Sequence, residues 1–146
     1  MLISGGTSSG KTTFLNALLK EVPRHERIIT IEDTRELKPP HENFLPLLAS
    51  KDDRGLSRVS IQDLLEASSR ARLDRLFVGQ VRGAEVLSFL QAINTGHPGS
   101  MTTVHANSLA QGYERLALMT MQAGLRLSKA ETITYISASR SSTRDS

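Results

Sequence analysis

The chain has 146 residues, one domain's worth and enough to bury a real core. Its formal net charge is +3, with basic residues spread along the sequence, so solvated surface explains them better than a polyanion-binding patch. It has no cysteine, which excludes disulfides and thiolate metal sites, and no apolar run long enough to span a bilayer or serve as a signal peptide; we read it as soluble and cytoplasmic.

Leu2-Ile3 reads as the end of a buried strand. It runs into Gly5-Gly6-Thr7-Ser8-Ser9-Gly10-Lys11-Thr12, the pattern G-x-x-x-x-G-K-[ST]. Glycines let the backbone curl so that successive N–H groups point inward at phosphate oxygens. Lys11 can reach the β- and γ-phosphates, and the Thr12 hydroxyl can ligate Mg²⁺. A helix over residues 12–20 follows, with Phe14, Leu15, Leu18 and Leu19 on one apolar face and its positive N-terminal dipole at the loop. Strand, glycine-rich loop and helix is the order that a phosphate cradle requires.

Residues 27–31 form a second strand, which ends in Glu32-Asp33. Pro39, Pro40 and Pro46 mark a loop that holds a short apolar stretch, 44–48. Residues 51–55 read as a charged turn. Ser60 and Asp63 have capping-box spacing and open a helix with Ile61, Leu64, Leu65 and Ala71 on one face. Residues 75–79 give a third strand, 83–94 a helix with Val86, Phe89, Leu90 and Ile93 inward, and 100–104 a fourth strand. A helix over 109–122 ends at Gly124, and Ser128 caps a last helix over 129–136. Residues 137–146 are polar, serine-rich and aperiodic, and read as a disordered tail.

Strands alternating with helices predict an α/β fold with a mainly parallel sheet covered on both faces. Ligands of such sheets bind at the carboxyl ends of the strands. The polar clusters fall there: Glu32-Asp33 after the second strand, Gly79-Gln80-Val81-Arg82 after the third, His105 after the fourth. A carboxylate at Glu32 or Asp33 can orient or deprotonate an attacking water, or hold a Mg²⁺-bound water; both can also simply begin a polar loop. Arg82 can meet a phosphate or a neighbouring subunit, or form a surface ion pair. His97 and His105 lack a third ligand for a metal, but an imidazole can donate to a phosphate oxygen. Arg24, Arg27 and Arg35 are all candidates for an arginine acting in trans. The few aromatics are not interleaved with basic residues, so no direct nucleic-acid site is read.

Four segments in order resemble a known family. They are Gly-Gly-Thr-Ser-Ser-Gly-Lys-Thr-Thr (5–13), Ile-Thr-Ile-Glu-Asp-Thr-Arg-Glu-Leu (29–37), Val-Gly-Gln-Val-Arg-Gly-Ala-Glu (78–85) and Thr-Gly-His-Pro-Gly-Ser-Met-Thr-Thr-Val-His-Ala-Asn-Ser (95–108). They look like the phosphate loop, Asp box, Walker B and His box of the type II and type IV secretion traffic ATPases, most like the hexameric type IV secretion and conjugation branch. The resemblance covers residues 2–136. It implies a RecA-like P-loop core over 1–136, bound ATP and Mg²⁺, and a hexameric ring at the cytoplasmic face of the bacterial inner membrane. It also implies contact with inner-membrane secretion components and a protein or nucleoprotein substrate. By resemblance Gly5, Gly6, Thr7, Ser8, Ser9, Gly10, Lys11, Thr12 and Thr13 bind nucleotide, and Thr12 and Glu32 hold the metal. Glu32 leads the catalytic set of Glu32, Gln80, Arg82 and His105. Glu36 supports it, and His97 joins His105 as a γ-phosphate sensor.

The pattern breaks at Gln80, where the family has glutamate. An amide accepts no proton and carries no charge, and losing a general base costs about 10²–10⁴-fold in rate. Two readings stay open: a motor module that hydrolyses ATP, and a nucleotide-binding fragment with little turnover. A small-molecule kinase would need an acceptor site and a lid, and neither is read. Leu73 stands where the family has proline. The family's N-terminal domain, source of cross-subunit arginines, has no counterpart, so a fragment of the C-terminal domain is expected.

Overall fold

A computed structural model describes residues 1–50, 59–97 and 99–141, the side chains of 139–141 excepted. Five strands alternate with helices: β1 Leu2–Gly5, α1 Lys11–Glu21, β2 Ile28–Glu32, β3 Phe44–Leu48, α2 Ile61–Ser68, β4 Arg75–Val78, α3 Glu85–Asn94, β5 Met101–His105, α4 Leu109–Gln122 and α5 Lys129–Ser141. All pairs are parallel, in the order β1-β5-β4-β2-β3. Every strand therefore ends on the same rim, and the loops that leave that rim can share one site.

The strands alternate between two cores. On one face, Ile28 and Phe77 pack with Leu15 and Leu19 of α1. On the other, Ile29, Ile31, Leu76, Val78 and Val104 pack with Leu65, Phe89 and Leu116 of α2, α3 and α4 and with Ile136 of α5. Full burial of each such side chain contributes about 1.5–3 kcal/mol. Helices thus cover both faces, one on the first and four on the second.

Several local expectations hold in detail. Ser60 and Asp63 form the capping box, Ser128 Oγ accepts from Glu131 N at the start of α5, and Gly124 turns the chain after α4 at φ 103°. Others change. Residues 44–48 are a strand, not loop: β3 lies at the sheet edge, where Pro46, opposite Thr30, needs no N–H on its open side. Phe14 leaves the apolar face of α1 and is 52% exposed, since α1 lies at the β1 edge of the sheet and buries only Leu15 and Leu19. Leu73 is buried in the larger core, and the Asp74 carboxylate accepts from Arg27 N at 2.6 Å. The last helix continues past 136 to Ser141, so residues 137–141 of the expected tail are helical. Residues 142–146 and the charged turn at 51–55 lie outside the described residues. No helix among those described is long and apolar enough to cross a membrane.

Candidate functional site

A cleft of about 470 Å³ opens at the carboxyl rim of the sheet. It is lined by Thr7, Ser8, Lys11 and Thr12 after β1, Glu32 to Thr34, Glu36 and Leu37 after β2, Gly79, Gln80 and Arg82 after β4, and Thr103 and His105 of β5. Four of the five strands thus deliver side chains to one space.

The loop from β1 to α1 is a tight curl. Gly10 is the N-cap of α1 in the left-handed region at φ 79°, and Ser8 takes φ 58° without being glycine. Lys11 folds back over the curl: its Nζ donates to Gly5 O at 2.8 Å and also to Gly6 O. The ammonium therefore lies across the loop at the N-terminus of α1, where backbone N–H groups and helix dipole favour an anion. Ser9 Oγ closes the curl on Gly6 O at 2.8 Å. A side chain at Gly5 would meet that hydroxyl at 2.5 Å, so Ser9 would have to turn away from Gly6 O to admit one.

Glu32 is the most constrained group in the cleft. It is only 3% exposed, and its Oε1 accepts from Glu36 N and Leu37 N, both at 2.9 Å. Its Oε2 is buried without a hydrogen-bond partner among the described residues. Burial raises the carboxyl above its ordinary value of 4.5, against the two backbone donors that lower it. Gly79 leaves room for it, since a Cβ there would stand 3.1 Å from Glu32 Cγ. Thr103 Oγ1 donates to Gly79 O, and Gly79 N to Ile31 O at 2.9 Å, so the wall behind Glu32 is part of the sheet.

Arg82 joins two loops. Its Nη2 donates to Gln80 Oε1 at 3.1 Å, and its Nη1 stands 3.7 Å from Asp33 Oδ2. Its guanidinium side is 58% exposed, so the ion pair itself is worth little. Glu85, at the first turn of α3, accepts from Arg82 N at 2.6 Å and Gly83 N at 3.1 Å. Neither Glu85 nor Thr103 was singled out from the sequence. The signal for Glu85 was an acid three residues after Arg82 at a helix start; Thr103 carried none, since its role depends on β5 lying beside β4.

The structure separates the two histidines. His105 pairs with Gly5 in the β1–β5 register and lines the cleft. His97 precedes β5, at the amino rim, and does not line it. A five-residue strand stands between them, about 16 Å of chain. Within this chain, then, His97 stands apart from the cleft that His105 lines. Of the three arginines, Arg24 and Arg27 precede β2 at the amino rim, and Arg24 Nη1 donates to Pro40 O. Arg35 lies between the cleft residues Thr34 and Glu36, with its guanidinium 5.9 Å from the Phe44 ring.

The chain matches the family described as Type II/IV secretion system protein over residues 1–141. The chain belongs to this family. Two VirB11 proteins place it on the type IV branch: that of Bartonella quintana is 44% identical over 119 residues, 82% of this chain and 33% of the relative. That of Agrobacterium fabrum is 46% identical over 116 residues, 80% of this chain and 34% of the relative. The crystal structure of the VirB11 ATPase of Brucella suis, in complex with sulphate, superposes with a TM-score of 0.83 at 34% identity, over 93% of this chain and 40% of that one. The fold is thus the RecA-like ATPase core of that family. The chain spans about a third of the length of the VirB11 relatives it matches.

Proposed function

We propose that the chain is the nucleotide-binding core of a type IV secretion ATPase. The observation that carries this reading is the buried, unpartnered Glu32 Oε2 in the same cleft as the Gly5–Thr12 loop and Lys11. On this reading the loop amides and Lys11 hold the phosphates of ATP. Lys11 exchanges the Gly5 and Gly6 carbonyls for phosphate oxygens, which return stronger, charge-assisted hydrogen bonds. Thr13 follows on α1, and His105 stands beside Gly5 to donate to a phosphate oxygen.

The donor set fits Mg²⁺. Thr12 offers a hydroxyl and Glu32 a free carboxylate oxygen, both hard oxygen ligands of the kind magnesium takes, directly or through water. Bound there, the metal would neutralise phosphate charge. Glu32 itself is the group placed to orient a water and take its proton, with Oε1 fixed by the 36–37 backbone and Oε2 left for the work. Glu36 supplies one of those backbone donors. The exposed flank of Arg82 suits contact with a neighbouring subunit. The VirB11 likeness supports a hexameric ring at the inner face of the inner membrane, engaging secretion components and driving export or conjugative transfer of a protein or nucleoprotein.

A second reading keeps the binding and lowers the turnover. Gln80 favours it, because the position that faces Arg82 offers an amide in place of a carboxylate. Steady-state hydrolysis by this chain and by Gln80→Glu decides between them. A slow parent rate that rises about 10²-fold or more in Gln80→Glu identifies a binding fragment with an attenuated site. A brisk parent rate that the substitution leaves unchanged identifies a working motor and refutes this account of position 80.

A further inference from the structure

Gln80 is better placed to give a hydrogen bond than to take a proton. Its backbone is pinned between two sheet bonds, Gly79 N to Ile31 O at 2.9 Å and Val81 N to Thr103 O at 3.1 Å. Its side chain is pinned by Arg82, whose Nη2 lies 3.1 Å from the amide oxygen. A guanidinium has donors only, so the end of Gln80 that faces it has to be the oxygen. The backbone of Arg82 is itself held by Glu85 Oε1 on its N at 2.6 Å, and its guanidinium stands 3.7 Å from Asp33 Oδ2. With its oxygen committed, Gln80 has its NH₂ end left for a ligand in the cleft it lines, and that nitrogen has no hydrogen bond among the described residues.

The consequence is a change of sign at this position. A glutamate here would also accept from Arg82, but would turn a second anionic oxygen to the cleft. The amide turns a donor. Phosphate oxygens are acceptors, and the terminal phosphate of ATP is the group that ADP lacks. Gln80, after β4, stands between Glu32 at the end of β2 and His105 at the end of β5, across the cleft from the loop that would hold the inner phosphates. We propose that Gln80, oriented by Arg82, donates to the terminal phosphate and makes the cleft discriminate ATP from ADP. Glu32 then remains as the carboxylate for water. This rests on the reading of the cleft as an ATP site.

Equilibrium titration tests it without turnover. The wild-type chain and Gln80→Leu are titrated with ADP and with a non-hydrolysable ATP analogue at matched Mg²⁺. One donor to a charged phosphate is worth about a tenfold change in affinity. Gln80→Leu is expected to bind the analogue about tenfold more weakly and ADP within about twofold of wild type. Retained ADP binding also reports that the variant folds. Gln80→Glu, which has no donor at this position, is expected to show the same selective loss. Equal loss for both nucleotides, or loss for neither, overturns the proposal while leaving the ATP site intact. A wild-type chain that binds neither nucleotide overturns both.

Discussion

At the scale of single residues, the site depends on one carboxylate. Glu32 is held by two backbone donors through Oε1 and is otherwise enclosed, so its second oxygen is both costly and reactive. Burial holds its carboxyl above the ordinary 4.5. Two outcomes follow with opposite signs. On the proposed reading, in which Glu32 takes the proton of water, the carboxylate has to be ionised, so kcat/KM is expected to rise with pH through an apparent value above 4.5, and Glu32→Gln to remove this limb with a loss of about 10²–10⁴-fold. For stability, a raised folded pKa means that the neutral acid is the favoured form. That contribution is full below the ordinary value and is lost as pH rises through the folded one. Glu32→Gln, neutral throughout and still an acceptor for Glu36 N and Leu37 N, is therefore expected to melt higher than wild type at pH 8. Thermal melts and a pH–rate profile of both chains check the two signs; a variant that melts lower and keeps its rate would contradict both.

At the scale of elements, the carboxyl rim is assembled by local signals with a clear physical origin. Gly10 takes the left-handed conformation that lets α1 start at once after the curl. The Ser60–Asp63 box sets the start of α2, with mutual hydrogen bonds of Ser60 N to Asp63 Oδ2 at 2.8 Å and Asp63 N to Ser60 Oγ at 3.1 Å. Ser60→Ala should cost about 1 kcal/mol, read as a lower denaturation midpoint with unchanged m-value. No change in midpoint would mean that packing of Leu65 alone sets the helix start. These elements were legible because their signals are short in sequence. β3 was not, since Pro46 argues against a strand until the strand is known to lie at an edge, and edge position is a property of the whole sheet. The same holds for Phe14. Its spacing fits the apolar face of α1, but β1 is an edge strand and Phe14 stays half exposed there, beside Met1 and Ile3.

At the scale of the molecule, the strand order gathers the sites. The phosphate-loop pattern, Glu32, Arg82 and His105 were legible as residue types at strand ends, and parallel topology brings them to one cleft. What the sequence did not carry is which side-chain atoms are committed and which are left over. Lys11 on its own loop carbonyls, Gln80 Oε1 on Arg82 and the spare Oε2 of Glu32 are set by the folded shape of each loop, which residue type and spacing do not specify. His97 shows the converse. Close to His105 in sequence, it is carried to the opposite rim by the intervening strand β5.

Every role proposed for the cleft depends on the curl at Gly5–Thr12, with Lys11, binding the phosphates of a nucleotide. Calorimetric titration of the wild-type chain and of Lys11→Ala with a non-hydrolysable ATP analogue and Mg²⁺ tests it directly. The account predicts saturable one-to-one binding with a dissociation constant of roughly 1 μM–1 mM, the range usual for enzyme substrates, and its loss in Lys11→Ala. Absence of saturable binding by the wild type, or equal affinity in the two chains, would contradict it.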